Sequence, residues 1–92
     1  MNYEALGRYT AAKQTAVDAL RARNQTLLAV RRWAEPATSD QGIVMAFEPV
    51  QRLLAKARAA DDAWHAAVLD ANAVAELANQ PRLHTQLSTF QE

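Results

Sequence analysis

The sequence predicts an all-α protein, an antiparallel hairpin of two long helices formed by a single domain over residues 1–92. Three observations predict this fold. The 92 residues include 21 Ala and ten Leu but only two Gly and three Pro, so little interrupts helix formation. Two stretches of similar length carry apolar residues at helical spacing. One connection separates them, which lets the second helix fold back along the first.

The first helix is predicted over residues 3–34. Asn2 is a suitable N-cap, and the helix dipole favours Glu4 in the first turn. Pro36 disfavours the α conformation at Glu35 and therefore ends the helix. The apolar stripe of this helix comprises Leu6, Tyr9, Ala12, Ala16, Val17, Leu20, Leu27, Val30 and Ala34.

The second helix is predicted over residues 49–79. Pro49 suits the first helical position, and Gln80-Pro81 ends the pattern. At 1.5 Å per residue each helix is about 47 Å long. The second apolar stripe comprises Val50, Leu53, Leu54, Ala57, Ala60, Trp64, Ala67, Val68, Ala71, Val74 and Ala78.

The connection, residues 35–48, is longer than most helix–helix loops. Its Thr38-Ser39-Asp40-Gln41 stretch has the pattern of a capping box, which predicts a short helix over residues 39–47. The apolar residues of that stretch are also in register with the second stripe. A single kinked helix that begins at Ser39 is therefore the alternative.

A short third helix is predicted over residues 81–90. Leu83, Leu87 and Phe90 follow Pro81 at helical spacing, so their side chains would share one face. We expect this helix to fold back on the hairpin.

The hairpin also predicts which charged residues meet. If the helix ends meet at Ala34 and Pro49, facing residues have numbers that sum to about 83. Exposed ion pairs contribute at most about 1 kcal/mol each, so their value lies in setting orientation. The predicted pairs are Arg8–Glu76, Lys13–Asp70, Asp18–His65, Arg21–Asp62 and Arg23–Asp61.

The charge of this neutral chain is polarised along the hairpin. Residues 21–58 hold seven basic and three acidic residues, a net charge of +4, and the remaining residues carry −4. Arginines beside aromatic residues are typical of binding hot spots. The predicted partner-binding set consists of Arg31, Arg32, Trp33, Phe47, Arg52, Lys56 and Arg58.

Three interpretations of this basic end stay open. In the first, it binds a protein partner or a second copy of the chain. In the second, it is only solvated, and Glu35, Asp40 and Glu48 fold over the arginines. In the third, the chain is a nucleic-acid-associated regulator whose basic cluster contacts phosphates. The five residues of that cluster would be Arg31, Arg32, Arg52, Lys56 and Arg58.

The alanine content favours self-association. Alanine lets helices approach closely but buries little area, so an isolated two-helix hairpin is marginally stable. Leu28, Trp33 and Leu69 lie off the main stripes and could contact the C-terminal segment or a second subunit. We therefore expect a homodimer that packs as a four-helix bundle.

The sequence lacks the residue patterns that are typical of catalytic, phosphate-binding and metal-binding sites. No cysteine is present, which excludes disulfides, cysteine nucleophiles and zinc knuckles, and two glycines cannot form a Gly-rich phosphate loop. The adjacent Asp61 and Asp62 point about 100° apart on a helix and so share no site. We expect a non-catalytic interaction module, an adaptor, inhibitor or assembly accessory protein, with no cofactor, metal or small-molecule substrate.

The compartment and origin are predicted from composition alone. Residues 1–4 have no basic signal-peptide start, and the longest apolar run, residues 43–47, is far shorter than the roughly 20 residues that span a bilayer. We therefore expect a cytoplasmic protein without membrane contact. The high Ala and Arg content is typical of GC-rich bacterial or phage genes.

The plan resembles the family of small secreted bacterial helical-hairpin proteins, whose two long helices are joined by a Trp-x-Gly turn. Trp33-Ala34-Glu35 stands at the corresponding end of the first helix. Glu35 replaces the glycine of that turn, and the connection is longer. We therefore assign the chain to no family from its sequence.

Overall fold

The computed structural model describes residues 2–38, 42–88 and 90. Helix α1 spans Tyr3–Ala34, a 3₁₀ turn follows over Glu35–Thr38, and helix α2 spans Glu48–Val74. No strand occurs in these described residues, and α1 and α2 pack against each other. The all-α helical hairpin is therefore confirmed.

Helix α1 has the bounds that its sequence predicts. The Asn2 side chain caps it by accepting a hydrogen bond from the Ala5 N–H at 3.0 Å. At the other end the Glu35 N–H still donates to the Arg31 carbonyl, and the chain then tightens into the 3₁₀ turn. The proline at position 36 thus stops the α-helix at Ala34, as expected.

The connection contains no helix over residues 42–47, and α2 begins at Glu48 with Pro49 in its first turn. The short helix predicted over 39–47 and its kinked alternative are therefore wrong for residues 42–47, while residues 39–41 lie outside the described residues. Gly42 adopts a positive φ of 62°, which is not helical. The Ala46 carbonyl accepts a hydrogen bond from Trp33 Nε1 at 2.9 Å instead of serving a helix.

Helix α2 ends at Val74, five residues before the predicted end. The Ala75 N–H turns to the Asn72 carbonyl, and the Gln80 N–H donates to the Ala75 carbonyl at 2.9 Å. Asn79 has a φ of 54°, the left-handed conformation that commonly closes a helix. The turn over residues 75–79 keeps Ala75 and Ala78 buried, so the apolar stripe continues past the helix.

The C-terminal helix predicted over 81–90 is not formed by its described residues, 81–88 and 90. Residues 80–88, called the tail below, are irregular, although they do fold back on the hairpin as expected. The Tyr9 hydroxyl donates to the Pro81 carbonyl at 2.7 Å. The Asn72 amide donates to the Leu83 carbonyl at 2.8 Å and accepts from the Leu83 N–H at 2.7 Å. These side chains occupy the carbonyls that a helix would use.

The core is a seam of small side chains. Ala71 and Ala78 are fully buried, and Tyr9, which is 2% exposed, supplies the largest buried ring. Leu83 of the tail packs against both core clusters and joins them. The first cluster comprises Ala5, Tyr9, Ala12, Ala71, Val74, Ala75 and Ala78, and the second Ala16, Ala67 and Val68.

The hairpin is one helix layer thick. Its principal extents are 62 × 24 × 14 Å, and twelve large apolar side chains of the described residues are exposed. Most domains bury their apolar faces by packing two layers together. Much apolar surface of this layer therefore remains available for contact, although the tail covers part of one broad face.

Candidate functional site

Two ion pairs join α1 to α2. Arg23 Nη1 lies 2.8 Å from Asp61 Oδ1, as the sequence predicts. Arg8 instead pairs with Asp70, to which its Nε donates at 3.1 Å, rather than with Glu76. The predicted Arg8–Glu76 and Lys13–Asp70 pairs are therefore not formed. The core near the termini nevertheless keeps the predicted register, because one cluster holds Ala5 with Ala78, Tyr9 with Val74 and Ala12 with Ala71.

Arg23 also has a contact that the sequence analysis missed. Its guanidinium carbon lies 5.3 Å from the ring centroid of Trp64, which is within cation–π range. Asn24 Oδ1 accepts further hydrogen bonds from the same guanidinium. Arg23 thus links the two helices at the middle of the hairpin through a carboxylate and an aromatic ring.

We expect Asp61→Asn to lower the free energy of unfolding by less than about 1 kcal/mol. The Asp61 side chain is 48% exposed, so water and salt screen this pair. Urea unfolding monitored by circular dichroism measures the effect. Asp62→Asn is the matched control, since Asp62 is exposed. A loss of several kcal/mol for Asp61→Asn alone would contradict this expectation.

An aromatic pair lies where the connection meets α1 and α2, as the sequence suggests. Trp33 and Phe47 meet edge to face, with ring centroids 5.3 Å apart and planes at 65°. The Trp33 indole is held by its hydrogen bond to the Ala46 carbonyl. Phe47 remains 57% exposed and Val44 96% exposed. An ordered ring with an open edge is suited to contact with another molecule.

The basic residues of the predicted partner-binding set do not form one strip. Lys56 and Arg58 flank the buried Ala57, so at about 100° per residue their directions differ by about 200° around α2. Arg52 lies one turn before Lys56 and shares its side. We call the whole predicted set the loop end: Arg31, Arg32, Trp33, Phe47, Arg52, Lys56 and Arg58.

The cations of the loop end are exposed and weakly paired. Arg31 approaches the Glu35 carboxylate at 3.9 Å, and both side chains are mostly exposed. Among the described residues, Arg32, Arg52, Lys56 and Arg58 have no ion pair. Within this part of the chain, Glu35 and Glu48 therefore leave most of the positive charge uncompensated.

The described residues contain no group of three His, Asp or Glu side chains that could hold a metal ion. The concave sites are open clefts. One, of about 390 Å³, is lined largely by alanines of both helices, including Ala11 and Ala66. Two others, of about 240 and 570 Å³, lie between the hairpin and its tail and share Leu20 and Trp64.

Comparison with known proteins gives no relative from which a function could be transferred. No family model, no curated protein and no solved structure matches this chain. Over the described residues, neither helix combines the length and apolar character that crossing a bilayer requires. The function must therefore be argued from the geometry of the hairpin.

Proposed function

We propose that this protein is a non-catalytic, cytoplasmic interaction module that self-associates and docks its loop end onto an acidic protein partner. The loop end carries the proposal because it combines an ordered, half-exposed aromatic pair with exposed cations. Aromatic and arginine side chains are the usual anchors of protein interfaces. Such a module would act as an adaptor, an inhibitor or an assembly accessory protein of bacterial or phage origin.

The arrangement of the cations favours a protein over a nucleic acid as partner. A phosphate backbone is contacted best by a row of basic side chains on one surface. Here Lys56 and Arg58 diverge to opposite sides of α2, with the Trp33–Phe47 pair near the tip. A concave acidic protein surface can enclose this tip, with its carboxylates around the aromatic pair.

The thickness of the hairpin supports self-association. A single layer with a core of alanines leaves its larger apolar side chains exposed, among them Leu27, Leu28, Leu54 and Leu69. A second hairpin packed on the first would complete a four-helix bundle and bury part of this surface. Sedimentation velocity across a concentration series tests this part, and a strict monomer at several hundred micromolar would contradict it.

Charge reversal tests the docking part. We expect Arg31→Glu/Arg32→Glu/Arg52→Glu to abolish capture of the partner from a lysate of the source organism. The matched control Lys13→Glu/Arg21→Glu/Arg82→Glu changes the net charge equally at exposed positions away from the tip. It should retain the partner, because the loop end is intact.

Three outcomes would contradict the docking proposal. The wild type captures no protein, both triple variants lose the partner equally, or the loop-end variant keeps it. Binding of the wild type to a DNA duplex that weakens by orders of magnitude with rising salt would favour the phosphate-binding alternative instead. That measurement uses the same two triple variants, so one set of proteins distinguishes the two partners.

A further inference from the structure

The tail crosses one broad face of the hairpin, and that face is incompletely filled. The tail is fixed at its start, by the Tyr9 and Asn72 hydrogen bonds to Pro81 and Leu83. Beyond Leu83 it leaves a cleft of about 570 Å³ against the helices, in which Leu20, Trp64 and Leu87 are the apolar lining residues. The rest of the lining is polar or charged: Arg23, Asp61, His65, Thr85, Gln86 and Ser88. The apolar patch of Leu20 and Trp64 can receive a large side chain.

The same face carries further exposed apolar groups toward the loop. Leu27 follows Leu20 by seven residues and Leu54 precedes Asp61 by seven, so both extend the lining of the cleft along their helices. Leu27 is 42% and Leu54 49% exposed. We call this surface the tail face: Val17, Leu20, Leu27, Leu54, Asp61, Trp64 and the tail.

The tail itself presents unburied apolar side chains at the middle of the hairpin. Leu87 is 86% exposed, and Phe90, just beyond the tail, is 89% exposed. Leu87 lines the cleft at the level of Leu20, close to the midpoint of α1. The tail face thus contains both an open cleft with an apolar patch, Leu20 and Trp64, and exposed apolar groups that could pack against such a patch.

From this self-complementarity we infer that the occupant of the tail face is a second copy of this chain, packed antiparallel. A two-fold interface uses the same surface twice, so each copy must offer both the cleft and what fills it. An axis across the hairpin near Leu20 brings each copy's Leu87 and Phe90 toward the other's cleft. This inference rests on the self-association in the proposed function and specifies its surface and orientation.

Charge selects the antiparallel orientation. The half over residues 21–58 carries +4 and the rest of the chain −4. Antiparallel stacking places each positive half over the partner copy's negative half, whereas parallel stacking places like charges together. Opposite potentials across an interface favour one orientation over another.

Substitutions in the exposed tail test the surface. Leu87→Asp/Phe90→Asp should weaken dimerisation at least tenfold in sedimentation velocity, with helicity unchanged by circular dichroism. The matched control is Ala11→Asp/Ala66→Asp. Both alanines are exposed, and they line the cleft between the helices on the face opposite the tail. The control should dimerise like the wild type.

Orientation is tested with spin labels, because the chain has no cysteine and single cysteines can be introduced. Val17→Cys lies near the proposed axis and should give the shorter distance between copies. Ala37→Cys lies beyond the end of α1, and α1 extends about 21 Å past Leu20 in each copy. Its labels should be separated by more than about 40 Å in an antiparallel dimer.

The outcomes separate this inference from the proposed function. A dimer that tolerates Leu87→Asp/Phe90→Asp, or in which the Ala37 labels lie closer than the Val17 labels, overturns the tail face while self-association stands. A strictly monomeric wild type overturns both. Docking of the loop end is measured separately through its own charge-reversed variants.

Discussion

Replacing Tyr9 with alanine is expected to lower the free energy of unfolding by about 3–5 kcal/mol, a large part of the stability of a domain this small. Tyr9 is 2% exposed and lies among Ala5, Ala12 and Val74. Its neighbours are small side chains that cannot collapse into the space of the ring. The cavity would therefore remain open between α1 and α2.

Tyr9→Phe separates the ring from its hydroxyl. This variant keeps the packing but leaves the Pro81 carbonyl without its 2.7 Å hydrogen bond, which costs about 1 kcal/mol. It should also loosen the tail, so the Leu83 amide should exchange with deuterium faster than in the wild type. Urea unfolding followed by circular dichroism gives the stability of both variants.

Tyr3 provides the control on the same helix. It is 77% exposed, so Tyr3→Ala and Tyr3→Phe should change stability by less than about 0.5 kcal/mol. If the Tyr3 and Tyr9 variants lost similar amounts of unfolding free energy, Tyr9 would not be part of a closed core. That result would also remove the anchor on which the start of the tail depends.

The long helices could be predicted because their signals are local. Asn2 and Pro36 mark the two ends of α1, and Pro49 marks the start of α2, each through the conformation of its own neighbours. The apolar stripes then require the helices to pack. These features do not depend on any distant part of the chain.

The tail and the end of α2 could not be predicted because distant side chains decide them. Helical spacing is present at Leu83, Leu87 and Phe90. However, the Tyr9 hydroxyl donates to the Pro81 carbonyl, 72 residues away in sequence, and the Asn72 amide bonds to both the backbone N–H and the carbonyl of Leu83. Such partners are invisible to a search for periodicity. The partner of Arg8 could not be predicted either, since its long, exposed side chain reaches Asp70 rather than Glu76.

The loop end was predictable in composition but not in layout. The sequence indicates that Trp33 and Phe47 lie near the arginines, and the rings do meet. It also suggested one basic cluster, whereas the buried position of Ala57 sends Lys56 and Arg58 to opposite sides. The contact of Arg23 with Trp64 depends on the side-chain geometry between the packed helices, which the register predicted from the helix ends does not specify.

Replacing Ala71 with leucine is expected to lower the free energy of unfolding by about 1–3 kcal/mol, although leucine is the more hydrophobic residue. Ala71 is fully buried, and its cluster contains Ala5, Ala12 and Tyr9 of the facing helix. The separation of packed helices is set by the side chains between them. A leucine here must either push α1 away or adopt a strained rotamer.

Whether Ala71→Leu lowers or raises the free energy of unfolding depends on the free volume around residue 71. The gain from transferring a leucine side chain out of water does not decide it. Burying a leucine side chain in free volume would stabilise the protein by about 1.5–3 kcal/mol, so a loose seam predicts the opposite result. The matched control is Ala73→Leu, because Ala73 is exposed on the same helix and should change stability little. Urea unfolding of both variants decides between the two cases. If Ala71→Leu separates the helices, the Leu83 amide should also lose protection from hydrogen exchange. The hydrogen bonds between Leu83 and the Asn72 side chain require Tyr9 and α2 to keep their present positions.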